Sequence, residues 1–235
     1  MKLKSIIQES KDTLFFTEHP EFFLNLLKAQ KECSRFFGLM YKQKKCFIRA
    51  SNNIADTYFR KPYGTKRKPK DNPKFNDQWI EEYRVKYYSQ LASRQKGSFA
   101  EVSDMSKRKI QRPYSILQYG TVVYFVIPKN GAKTFQNPRI KDFIGSTVNN
   151  LINDYKHDKE NQRTKDLLKK SAEQYFQYGV VQLSKMVPER EVVIESKGYY
   201  AFNSNTWTQY CLEILEDNMF EMMSPQHMKR IKESM

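Results

Sequence analysis

The segment Thr121-Val-Val-Tyr-Phe-Val-Ile-Pro128 constrains the fold of this chain more than any other. Its β-branched and aromatic residues favour a strand, and its unbroken apolar run from Val122 leaves no polar face for solvent. Such a strand must be covered on both sides. The run is also far shorter than the roughly 20 apolar residues of a membrane span. It is the longest of its kind in 235 residues, a length that can bury a sizeable core.

The elements around it read as follows. Thr17 is a candidate cap for a helix beginning near Glu18, in which Phe22, Phe23, Leu26, Leu27, Cys33, Phe36 and Phe37 recur at three-to-four spacing before Gly38 ends it. That stripe predicts core. Lys45 to Ala50 reads as a strand, and Trp79, Tyr83 and Tyr87 share one face of a helix over about residues 75–90. Ser98 to Ser103 is a further strand, and Pro128-Lys-Asn-Gly131 is a turn. Helices over 138–155 and 161–178 precede strands at Glu191–Glu195 and Tyr199–Asn203, and Thr206 is expected to cap a last helix containing Trp207 and Tyr210. The Met-rich tail beyond Asn218 is expected to dock only weakly. Strands and helices do not alternate, and no Gly-x-Gly-x-x-Gly or Gly-Lys-Ser/Thr loop occurs, which argues against a dinucleotide-binding parallel sheet. The class is α+β.

Charge is concentrated in one third of the chain. The formal net charge is +15, of which +12 falls in residues 41–118. It is densest in Phe59-Arg-Lys-Pro-Tyr-Gly-Thr-Lys-Arg-Lys-Pro-Lys70, where two prolines and a glycine forbid a helix and predict an extended loop. Lys66, Arg67, Lys68 and Lys70 in that loop attract polyanions: nucleic acid, a pyrophosphate or an acidic protein. Tyr58, Phe59 and Tyr63 are placed to stack on bases. The plainer alternative is a solvated charge run that keeps the chain soluble. Cys33, Cys46 and Cys211 suit neither a disulfide framework nor a Cys-x-x-Cys zinc site, and His19, His157 and His227 are scattered, so no metal enzyme is expected. The polar Met1–Ser10 start gives no expectation of a signal peptide.

Chemistry is concentrated in Pro188-Glu-Arg-Glu-Val-Val-Ile194, followed by Gly198-Tyr-Tyr-Ala-Phe202. Two carboxylates at i and i+2 entering a strand point to one side, where such a pair can bind a ribose hydroxyl and orient a nucleophile. This segment resembles the Glu-x-Glu motif of mono-ADP-ribosyltransferases. The resemblance implies that Glu191 contacts the nicotinamide-side ribose of NAD and stabilises the ribosyl cation, while Glu189 presents an arginine acceptor. Phe47-Ile-Arg-Ala-Ser51 resembles the family's early strand, so that Arg49 would clamp the NAD phosphates. Phe99-Ala-Glu-Val-Ser103 resembles its aromatic-x-Ser-Thr-Ser strand, with Ser103 kept, Glu101 in place of the first serine and Ser98 as a register-shifted substitute.

The order over about residues 45–215 of Phe47-Ile-Arg49, Arg60–Asp71, Arg94–Phe99, Tyr119–Pro128, Pro138–Asp142, and Glu191–Ile194 with Tyr199-Tyr200 also looks like a family of tailed-phage proteins that are similar to diverged ADP-ribosyltransferases. The Met1–Ser10 leader is similar to leaders of proteins inside phage heads. The resemblance implies an ADP-ribosyltransferase-like split mixed or antiparallel sheet with an N-terminal helical cap: a leader and cap over 1–44, the transferase-like domain over 45–217 and a tail over 218–235. It further implies NAD as substrate, a host protein or nucleic-acid-associated target recruited by the basic loop, no membrane, and a place in the host cytoplasm or the virion. The alternative is a non-catalytic phage or virion-associated protein that uses the same fold to bind nucleic acid or a structural partner.

Overall fold

β4 (Val122–Pro128) is the strand implied by the apolar run, buried at every position after Val122. Two antiparallel partners flank it. β1 (Lys45–Ser51) sets Arg49 opposite Tyr124, and β7 (Tyr199–Asn203) sets Ala201 opposite Val126. β2 (Thr57–Arg60) pairs antiparallel with the other side of β7, giving the order β2-β7-β4-β1. The computed structural model that shows this describes residues 14–61, 75–104, 120–140, 148–158, 161–215, 218 and 220–234. The protein is α+β, and no helix among the described residues is long and apolar enough to cross a membrane.

The chain divides into two compact units. The first comprises Met1–Lys61, Ser103–Gly131 and Lys197–Met235, and holds those four strands. Its core is built from aromatic residues meeting edge to face, an arrangement favoured by the ring quadrupole. Phe125 of β4 lies 5.1 Å from Trp207 of α6 (Ser204–Ile214), and Phe202 of β7 lies 5.3 Å from Phe22 of α1 (Pro20–Glu32). Phe47 of β1 meets Phe36 of α2 (Ser34–Gln43) in a tilted contact, at 6.2 Å and 55°. Asp56, just before β2, ties three parts of this unit together. Its carboxylate takes a 2.7 Å bond from His19 Nδ1 and a 2.6 Å bond from the Thr206 hydroxyl, and its carbonyl accepts from Asn203 N–H.

The second unit comprises Pro62–Val102 and Ala132–Ser196. In it β6 (Glu191–Glu195) pairs antiparallel with β3 (Ser98–Asp104, of which residues up to Val102 belong here) on one side and β5 (Lys133–Gln136) on the other. α3 (Phe75–Tyr87), α4 (Asn149–His157) and α5 (Gln162–Gln177) complete it. Ile80, Phe135, Leu168, Ala172, Tyr175, Phe176 and Val193 form its core. Gly179 is required there, because a Cβ at this position would meet the Phe135 ring at 1.9 Å.

Several expectations are corrected. α1 starts at Pro20, since proline disfavours helical backbone in the residue before it, and His19 rather than Thr17 sits at the cap position. The helical run then breaks at Cys33 and continues through Gly38; Lys44, with φ of 53°, follows its end. Asn203 instead of Thr206 caps α6, accepting from Asn205 N–H. The helix expected over 138–155 is helical from Asn149 among the described residues. β2 and β5 are additional strands, and Phe59 and Arg60, read as loop, lie in β2. The tail packs firmly: Phe220, Met222 and Met223 are buried, as are His227, Met228 and Ile231 of α7 (Pro225–Ser234). α1 and α2 fall in the same unit as β1, β2, β4 and β7. The Met1–Ser10 leader and most of the basic loop lie outside the described residues.

Candidate functional site

Glu191 opens β6 as the sequence implies, directly opposite Glu101 of β3. Two carboxylates facing each other across an antiparallel pair repel unless a cation intervenes. Arg94 supplies it. Its guanidinium bonds the Glu191 carboxylate, donates to the Tyr175 hydroxyl at 3.1 Å and lies 4.7 Å from the Phe99 ring centre. The Arg94 side chain is only 5% exposed and that of Glu191 24%.

The other end of β6 holds the same segment. Glu195 accepts from the Ser93 N–H at 2.8 Å, while the Ser93 hydroxyl donates to Glu81 at 2.9 Å. Glu81 also takes a fork of two bonds from Arg84, whose remaining donor reaches the carbonyls of Ser89 and Leu91. Donors and acceptors match closely in this largely buried network, which is how a polar cluster is tolerated inside a protein. Its evident work is to fix the Ser89–Gly97 turn.

Glu189 does not share the strand face with Glu191. It precedes β6, is exposed and has φ of 59°, so the two-residue alternation of a strand does not extend back to it. Gln136, fully buried, shapes that turn by donating to the carbonyls of Val187 and Arg190 and accepting from Val187 N–H. Ser98 is buried opposite Ile194. In the first unit, Ser103 is buried and its carbonyl accepts a long contact from the Cys46 thiol. Arg49 stands on β1, where its charge acts on the Tyr58 hydroxyl. Burial, with Tyr199 adding, lifts that hydroxyl to about 12 against the opposing pull of Arg49 and Arg60. Ser98, Glu189 and Glu191 thus fall in one unit and Arg49 and Ser103 in the other. Lys66, Arg67, Lys68 and Lys70 lie outside the described residues.

The second unit also contains a groove of about 610 Å³, within the range of roughly 300–1,000 Å³ usual for ligand sites. Trp79, Tyr83 and Tyr87 of α3 line it, with Tyr155 of α4. Lys86 of α3 and Lys165 and Lys169 of α5 bring three positive charges to the same space, and Glu82 one negative. The rings are held in place: Tyr83 stacks at 9° on Phe176 with centres 6.4 Å apart, and Tyr88 stacks on Phe176 at 5.2 Å. Burial raises the Tyr83 hydroxyl above its ordinary pKa, with Glu173 and the adjacent tyrosines adding to the shift, so it stays neutral. Tyr87 leans on Tyr83 at 4.7 Å and remains 49% exposed. The sequence carried the signal for this site, an i, i+4, i+8 aromatic stripe inside the basic third of the chain. The contribution of α5 lies some 80 residues away and had no local signature. No protein-family model, curated protein or solved structure matches this chain.

Proposed function

We propose that this chain is a non-catalytic nucleic-acid-binding protein. The observation that carries the reading is the groove of the second unit, where Lys86, Lys165 and Lys169 converge on a wall of four aromatic rings. Lysines neutralise phosphates without regard to sequence, and aromatic faces accept bases of any kind. The +12 of residues 41–118 adds long-range attraction for the same polyanion. In the tailed-phage setting that the sequence resembles, the partner is phage or host nucleic acid, met in the host cytoplasm or the virion. The test is the salt dependence of oligonucleotide binding. Replacing Lys86, Lys165 and Lys169 together by Gln should lower the slope of log K against log salt by about 2, at roughly 0.7 per phosphate on single strands. An unchanged slope contradicts the reading.

ADP-ribose transfer from NAD is the second reading, favoured by one observation: Arg49, Ser103 and Glu191 each fall on a strand, as the resemblance implies. In it Glu191 stabilises the ribosyl cation, Glu189 presents the acceptor, and Arg49 with Ser103 or Ser98 holds NAD. The Glu191–Arg94 ion pair weighs against it, because a carboxylate already compensated by a guanidinium has less field to offer a developing cation. Nicotinamide release from NAD by the pure protein, abolished in Glu191→Gln, would favour transfer over binding alone.

A further inference from the structure

We infer that the Trp79–Tyr87 groove takes unpaired bases, so that its ligand is single-stranded rather than duplex nucleic acid; this rests on the nucleic-acid-binding reading. In a duplex the base faces are covered by their neighbours, and only edges are offered in the grooves. Four aromatic side chains line this groove, Tyr87 among them 49% exposed, and an exposed ring gains most from a flat partner that is free to stack. Tyr83, backed by Phe176 and Tyr88, is a fixed platform, so little freedom is lost when a base settles against its neighbour Tyr87. Tyr87 keeps about half of its surface open, and Lys86 Nζ lies 5.1 Å from its ring centre. A base that takes the place of this ammonium over the Tyr87 ring frees Lys86 to meet its phosphate, with Lys169 across the groove on α5 for the next. Both DNA and RNA strands offer this combination of base face and phosphodiester.

The experiment measures binding of four probes to the full chain: oligo(dT), oligo(U), an abasic deoxy strand of equal length and charge, and a duplex of equal length. Trp79 reports from the groove by fluorescence. The other tryptophan, Trp207, is fully buried in the first unit and serves as an internal constant. Base-bearing single strands should quench Trp79 and bind more tightly than the abasic strand, and comparison of oligo(dT) with oligo(U) identifies which sugar is preferred. Tyr87→Ala should weaken oligonucleotide binding about 5- to 150-fold and leave the abasic strand unchanged, whereas Tyr87→Phe should bind like the parent protein. Equal affinity for base-bearing and abasic strands, with no effect of Tyr87→Ala, would overturn the stacking inference while leaving polyanion binding in place. Tighter binding of the duplex would overturn it as well. Absence of binding to all four probes would overturn the nucleic-acid reading itself.

Discussion

Arg94 and Glu191 form an ion pair at the start of β6, where Glu191 stands opposite Glu101 of β3. The guanidinium of Arg94, set over Phe99 and bonded to Tyr175, compensates the Glu191 carboxylate. The residue expected to be a catalytic carboxylate is thus part of the framework that holds the Ser93–Arg94 segment to β6.

Removing Arg94 should be costly. Arg94→Met removes the guanidinium that pairs with Glu191 and donates to the Tyr175 hydroxyl. Deleting one partner of a buried pair costs about 3–5 kcal/mol, and the partial exposure of Glu191 places this case near 3. The double variant Arg94→Met, Glu191→Gln should recover much of the loss. Denaturant unfolding of the three proteins measures both, and equal stabilities would show that the pair holds nothing.

Stability should fall on acidification in two windows. Burial, with the charge of Arg230 adding, depresses His227 to about 4. An unfolded histidine binds its proton near pH 6.5, so between about 6.5 and 4 the unfolded chain takes up a proton that the folded one refuses. The contribution is complete above that window and shrinks by roughly 3 kcal/mol by its lower edge. Asp56 acts lower. Burial pushes its carboxyl up, yet hydrogen bonds from Thr206 and His19 and the His19 charge outweigh that and hold it below its ordinary value. Its contribution is present above about pH 3.9 and is lost beneath it. Unfolding midpoints at pH 7.5 and 4.5 should separate the parent from His227→Met, which lacks the first window; identical losses would contradict the assignment.

The basic residues Lys66, Arg67, Lys68 and Lys70 carry their own expectation. Replacing Lys66, Arg67, Lys68 and Lys70 by Gln should flatten the salt slope on duplex DNA, at about 0.9 per neutralised phosphate. It should not alter Trp79 quenching by a short single strand once that strand is saturating. A slope identical to that of the parent would make the segment a solvated surface feature.

The fold was legible where one residue pattern decides the answer. Val122–Pro128 is apolar throughout and could only be a covered strand, Glu191–Glu195 lies between turn residues, and Tyr199–Asn203 follows the turn at Gly198. β2 was hidden by its charge: Arg60 marks it as loop, yet Thr57 and Tyr58 pair with Phe202 and Ala201 of β7 from distant sequence. Gly38 did not end its helix: α2 continues through it to Gln43. At the site, Glu191 was found by its pattern, but Arg94 carried no motif. Its role depends on the Ser93 turn, on Glu195 and on Tyr175, which come together only in the folded unit. The groove was half legible, with its α3 rings evident and its α5 lysines indistinguishable from an ordinary solvated helix face.

The central claim is that nucleic acid occupies the α3–α5 groove, and photocrosslinking tests it most directly. A single-stranded oligonucleotide carrying a photoreactive thymine or uracil analogue, bound to the full chain and irradiated, should attach to the peptide spanning residues 79–87, with Tyr83, Tyr87 or Trp79 as the modified residue. Lys86→Gln with Lys169→Gln should reduce the yield at equal protein concentration. Crosslinks confined to peptides of the first unit, or a yield at residues 79–87 no greater than that of an unrelated basic protein, would contradict the account.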